Sequence, residues 1–183
     1  MTKNGGERMQ IFLGTVTEND YPVIAHLKDK KDSEGLFEGE YYEDNLRELR
    51  QLPNYNHDFE MIARTDDNEI VGHILLMQEL IRNEEDIQRP LMIKSLSVKE
   101  DYREYGIGKA LVEAAESRAK EAGYNEIIVE GEPDYFRSLG FVPLTDFSVE
   151  VPEGEAIDQY SVYLLWDTLD ANPQGQLIFE NEV

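Results

Sequence analysis

"LSVKEDYREYGIGKALVEAAESRAKEAGYNEIIVE", residues 96–130, joins an apolar run to a polar connection, two glycines one residue apart, a long amphipathic stretch and a second apolar run. Ile107, Ala110, Leu111, Ala114, Ala115, Ala119 and Ala122 recur every three or four residues, the spacing of one helix face. Gly123 follows where a left-handed C-terminal cap belongs. The flanking runs, "LMIKSLSV" (91–98) and "NEIIVE" (125–130), have strand composition. A strand, a helix of this length and a second strand predict a parallel β-α-β crossover over residues 91–130.

Upstream, "MQIFLGTV" (9–16) reads as a strand, and Thr17 with Asp20 signals the start of a helix through "PVIAHLKDK" (22–30), with Pro22 tolerated in its first turns. "SEGLFEGE" (33–40) reads as a loop, and "YYEDNLRELRQL" (41–52) as a second helix that Pro53 stops. "FEMIAR", the turn "TDDNE" and "IVGHILLMQ" form a hairpin pattern over 59–78, and "RNEEDIQRP" (82–90) reads as a charged loop. Downstream, "PDYFRSLGF" (133–141) supplies a short helix ending at Gly140. "FSVEV" (147–151) and "QYSVYLLW" (159–166) are two late strands around the loop "PEGEAID", and "NPQGQLIFENEV" (172–183) is either a final strand or a mobile tail. With no internal repeat, low-complexity segment or interdomain linker, the expectation is one domain over 1–183, with late strands and an acidic segment from 146 onward.

Composition narrows the function classes. A 40% apolar and 10% aromatic content is that of an ordered globular protein. Thirty-nine acidic against 17 basic residues, a formal charge of -22, argues against nucleic acid as a partner, because phosphate backbones demand a basic stripe. No apolar stretch approaches a membrane span, no secretory signal opens the chain, and a cytoplasmic location is expected. Zero cysteines exclude a disulfide framework, a zinc-thiolate site and a thiol nucleophile, and the three histidines lack metal-ligand spacing, so no metal is predicted. The charge is uneven: seven of the Lys and Arg residues fall within 94–137, while 138–183 carry nine acids and neither base. A small anion suits the middle of the chain and a cation its end.

Glycines at 106 and 108 let the backbone approach a ligand closely, and the helix starting there aims unpaired N–H groups and the positive end of its dipole at the same point. Such a turn suits a phosphate or pyrophosphate. A P-loop is excluded, since Arg103 and Ala110 stand where a glycine and a Ser or Thr are required. A dinucleotide fold fits poorly, since Leu111 replaces the third small residue and "KEDYREY" separates the strand from Gly106.

The whole stretch from Leu96 to Phe141 resembles the GNAT superfamily of acyl-CoA-dependent N-acyltransferases. Arg103, Gly106 and Gly108 fit its [RQ]-x-x-G-x-[GA] motif after a strand ending L-x-V, and "YFRSLGF" fits its second, aromatic-rich motif. The resemblance is to a bacterial subfamily of predicted acetyltransferases and extends from about residue 59 to 165. It implies an α/β fold: a mixed sheet of six or seven strands, helices on both faces, and a splay between the two central parallel strands. It also implies acetyl-CoA as co-substrate and direct transfer of the acetyl group to a primary amine, with a non-catalytic acyl-CoA sensor as the alternative. Amides of Glu104, Tyr105, Gly106, Ile107, Gly108 and Lys109 would cradle the CoA pyrophosphate, with Arg103 and Lys109 adding charge. Leu96, Ser97 and Val98 would pair with the pantetheine arm, and Phe136 would pack against it.

Transfer requires a base for the amine, a donor for the developing oxyanion and a proton for the departing thiolate. The oxyanion donor implied by the resemblance is a main-chain N–H near Ser97 or Val98. "LMIKSLSV" has Met92 near the place where many family members carry a Glu, so Glu130, Glu132 or Glu79 are the candidate bases, acting through water. Tyr135 is the candidate acid, one residue before the family's tyrosine position, which here is Phe136. His73 reads as a hydrogen-bonded strand histidine, and Phe37, Tyr41 and Tyr42 as an acceptor-pocket lining or ordinary core. The acceptor is expected to be a small cationic amine or a Lys-bearing peptide, and the protein a monomer or homodimer.

Overall fold

The computed structural model describes residues 2–3, 7–27 and 45–180. The expected aromatic lining at Phe37, Tyr41 and Tyr42 lies outside them. The chain falls into two compact units: residues 1–75 with 95–115, and residues 76–94 with 116–183.

In the first unit, β1 (Thr2–Lys3) pairs antiparallel with β2 (Glu7–Arg8). β3 (Ile11–Thr15) pairs antiparallel with β4 (Glu60–Thr65), and β4 with β5 (Ile70–Gln78), which continues into the second unit. The hairpin expected at 59–78 is present, turned by a left-handed Asn68. Asp20 accepts hydrogen bonds from both the backbone N–H and the hydroxyl of Thr17, each at 2.9 Å, and pairs with Arg64. The first helix is shorter than expected: α1 is the single turn Tyr21–Ile24, with turn residues at 25–26. α2 has its described residues at 45–49, with Leu46 buried, and unwinds through bonds such as Gln51 N to Glu48 O before Pro53.

The second unit corrects the reading of 82–90 as a loop. β6 (Leu80–Arg82) and β7 (Ile87–Gln88) pair antiparallel, because Asn83 Oδ1 accepts from the amides of Glu85 and Asp86 and closes a tight turn. β10 (Val142–Pro143) and β9 (Glu126–Glu130) flank β12 (Tyr160–Leu164), both antiparallel. The final segment is a strand, β13 (Gln174–Ile178), parallel to β11 (Ser148–Glu150) and antiparallel to β6. These form a four-stranded second sheet, β11-β13-β6-β7, that periodicity did not reveal. Ile81, Met92, Ile128, Leu144, Val149, Tyr160, Val162 and Leu177 pack as one buried cluster of this unit.

β8 (Leu91–Val98), α3 (Ile107–Glu121) and β9 realise the predicted crossover. The parallel β8–β9 register runs from Leu91↔Ile127 to Ile93↔Val129, and β8 continues to Val98. The main sheet has seven strands in the order β10-β12-β9-β8-β5-β4-β3. Gly123 ends α3 at φ +83, with Tyr124 N bonded to Ala119 O and Gly123 N to Lys120 O, the capping geometry its sequence position implied.

Candidate active site

The glycine turn belongs wholly to the first unit. Lys99 N donates to Val71 O on β5, so alternation directs the amide of Ser97 toward β5 and those of Leu96 and Val98 toward the opposite edge. A 3-10 turn, Glu100–Tyr102, follows, and Arg103 Nε reaches back to Val98 O at 3.3 Å. Glu104 (φ +68) and Gly106 (φ +75) are both left-handed, on either side of Tyr105. Glu104 is a non-glycine residue in a conformation that costs energy, which marks the turn as over-determined by its surroundings. Ala110 N bonds to Gly106 O, so the amides of Ile107, Gly108 and Lys109 precede the first intrahelical bond. This is a cradle of donors at the positive end of a 15-residue helix.

What fixes that helix start is Gly72. A Cβ there would lie 2.9 Å from Ile107 Cγ2 and 3.0 Å from Leu111 Cδ1, so α3 seats its first turns directly on the backbone of β5. Ile107 is buried, whereas Lys109 is exposed and only loosely paired with Glu113 at 3.7 Å.

The candidate acids and bases belong to the second unit. Glu130 ends β9; burial, then the charge and hydrogen bond of Glu155, raise it above the ordinary carboxylate range, with Lys94 opposing. Gly131 (φ +87) and Glu132 (φ +48) turn the chain into α4 (Pro133–Ser138), leaving Glu132 exposed. Tyr135 is 39% exposed and burial of part of its ring raises its hydroxyl pKa. Phe136, expected against the coenzyme arm, is buried and packs edge-on against Tyr135 and Phe141, each ring 5.2 Å away. Glu79 is committed elsewhere: it is buried, pairs with Lys94 Nζ at 2.5 Å, and accepts from Glu180 N at 2.7 Å.

Sequence reasoning missed two features. Glu126, buried at the start of β9, is pushed up to about 7 by burial. Glu60, at 0% exposure, takes hydrogen bonds from Arg50 Nη2 (2.6 Å) and Tyr55 Oη (2.7 Å), and His73 Nε2 lies 2.8 Å from its Oε1. Burial raises Glu60, but the bonds with His73 and Arg50 outweigh it and bring the carboxyl down to about 2. The hairpin register held the signal: Ile62 pairs with His73, which places Glu60 two residues away on the same face. Arg50 lies against the Tyr21 ring, 3.6 Å from its centre. Beside it, Tyr21, Pro22, Ala25, Leu46, Arg47 and Arg50 line a cavity of about 120 Å³.

Among the described residues, no group of three or more His, Asp or Glu side chains is arranged to hold a metal ion, and no helix is long and apolar enough to cross a membrane.

Residues 26–142 match the family model described as the acetyltransferase (GNAT) family. Among solved structures, the Escherichia coli GNAT family N-acetyltransferase YhbS, in complex with CoA, is similar at 17% identity over 98% of this chain and 94% of its own, with a TM-score of 0.80. A Brucella melitensis GNAT family acetyltransferase in complex with acetyl-CoA aligns at 18% identity over 93% of this chain and 96% of its own, with a TM-score of 0.66. An Aedes aegypti arylalkylamine N-acetyltransferase follows at 17% identity, over 85% of this chain and 99% of its own, with a TM-score of 0.57. Such distant likenesses establish the fold. No curated protein sequence matches significantly.

Proposed function

The chain belongs to the acetyltransferase (GNAT) family, and from that premise we propose that it moves an acetyl group from acetyl-CoA to a primary amine in a ternary complex. The observation that carries this reading is the turn at 103–109, where left-handed Glu104 and Gly106 open the amide-bearing start of α3. Those amides fit a diphosphate without any specialised side chain, and Lys109 adds exposed positive charge. On the free edge of β8, Leu96 and Val98 offer main-chain groups to an extended amide-bearing arm, and the Val98 or Leu96 N–H is the oxyanion donor. Ser97, whose amide faces β5, serves as part of the strand.

When bound, acetyl-CoA supplies the acyl carbon, and the acceptor nitrogen forms its C–N bond as the C–S bond breaks. Glu130 accepts the proton leaving that nitrogen, directly or through water, a task for which its raised proton affinity suits it. Tyr135 returns a proton to the departing sulfur, its raised pKa keeping the hydroxyl protonated at neutral pH. Glu132 and the Glu130–Glu155 pair attract a cationic acceptor, either a small amine or a Lys-bearing peptide. Phe136 packs edge-on against the Tyr135 ring.

Thiol release from acetyl-CoA across a panel of polyamines, amino-sugars and Lys-bearing peptides tests the proposal. Amine-dependent release supports it. Tight CoA binding with no release from any amine points to a sensor, and no CoA binding removes the reading altogether.

A further inference from the structure

We propose that Glu69 is the positioning residue of the coenzyme turn, holding Lys99 and Tyr102 so that the amides of residues 105–109 are set for a diphosphate; this rests on the acetyltransferase reading above. Glu69 closes the β4–β5 hairpin, where its own backbone is fixed. Thr65 N donates to Glu69 O at 2.9 Å, Glu69 N donates to Thr65 Oγ1 at 3.2 Å, and Asn68 is locked left-handed between them. From that end, one carboxylate oxygen accepts from Lys99 Nζ and the other from Tyr102 Oη at 2.6 Å.

The choice of partners matters. Lys99 is held to the sheet by its bond to Val71 O, and Tyr102, which is buried, ends the 3-10 turn that follows. One carboxylate therefore brackets the link through which β8 delivers the chain to Arg103. Two residues beyond Tyr102 the backbone turns left-handed at Glu104, and two further on it does so again at Gly106. With so few residues between clamp and cradle, a displaced Tyr102 rotates the amides away from a common point, and orientation errors of this kind are costly in binding and rate. The Glu69–Lys99 pair is 39% and 42% exposed at its two ends, so it contributes little to stability by itself. Its effect is on where the turn lies.

Charge and position predict opposite signs. Removing Glu69 frees the Lys99 ammonium close to an anion site, which by charge alone tightens CoA binding. Losing the clamp weakens it. Titration calorimetry with CoA and steady-state kinetics on the full chain separate the two. For Glu69→Ala the clamp predicts a CoA Kd and an acetyl-CoA KM about tenfold higher, with kcat at saturation within about twofold of wild type. Glu69→Gln, whose amide oxygen still accepts from Tyr102, recovers most of the affinity. Adding Tyr102→Phe to Glu69→Ala weakens binding no further, since the bond from the Tyr102 hydroxyl is already lost with the carboxylate. If Glu69→Ala binds CoA as tightly as wild type or more tightly, the clamp is overturned while the acetyltransferase reading stands. If wild type itself takes up no CoA, both fall together.

Discussion

Glu60 and Glu126 are both strand glutamates with almost no exposure, 0% and 3%, yet their proton affinities are shifted in opposite directions. In the first unit, Arg50, Tyr55 and His73 surround Glu60 and keep it ionised, with its pKa brought down to about 2. Asp20, in the same unit, is likewise lowered: burial raises it, but its bonds with Thr17 and Arg64 prevail. In the second unit, burial pushes Glu126 up to about 7, and burial with the neighbouring Glu155 raises Glu130. For Glu60 and Glu126, which are comparably buried, partners decide the outcome. The first unit holds its buried carboxylates ionised, while the second keeps carboxylates with raised proton affinity, the property the proposed base needs.

The sharpest way to break this comparison is to remove Glu60. Glu60→Ala leaves the Arg50 guanidinium largely buried without its counter-charge and is expected to cost about 3–5 kcal/mol in urea unfolding at pH 7. A loss below about 1 kcal/mol contradicts a structural role for the network.

The pH dependence of stability sharpens the same contrast. Glu60 has a depressed folded-state pKa, so its contribution is present above the ordinary 4.5 and is lost as the pH falls through about 2. Glu126 has a raised one, so its contribution is present below 4.5 and is lost as the pH rises through about 7. Each limb is worth roughly 3 kcal/mol. Glu126→Gln is therefore expected to flatten the fall in unfolding free energy between pH 4.5 and 8 and to leave the acid limb intact.

Glu130→Gln tests the chemistry. It is expected to lower kcat about a hundredfold with an unchanged KM for acetyl-CoA, and to abolish a rate rise with pH that lies above the ordinary carboxylate range. Equal activity at all pH values excludes Glu130 as the base. The smallest effect belongs to Glu104→Gly, which relieves a left-handed non-glycine residue and is expected to stabilise the fold by about 0.5–1 kcal/mol in thermal unfolding.

Legibility in the sequence followed the range of the interactions. The β8–α3–β9 crossover, its Gly123 cap and the glycine turn were readable because helix periodicity, capping and left-handed turns are encoded by neighbouring residues. The four-stranded second sheet was not: β13 pairs with β6 across more than ninety residues, and nothing local in either short strand specifies that partner. The β6–β7 hairpin was hidden by the charged composition of 82–90, although Asn83 was a usable turn signal. At the candidate site, Gly106 was marked by its turn chemistry and Arg103 by the family motif it fits. Glu60 and Glu126 could not, because a buried glutamate is distinguished by the partners that surround it, and Arg50 and His73 reach Glu60 from different elements.

The central claim, that main-chain amides at one helix start grip the coenzyme diphosphate, is tested most directly by following backbone amide resonances of ¹⁵N-labelled protein during titration with CoA. The account predicts the largest shifts at Tyr105 to Lys109, and their disappearance in Gly106→Val, which cannot hold the left-handed turn. Saturable CoA binding that leaves those five amides unmoved would contradict it.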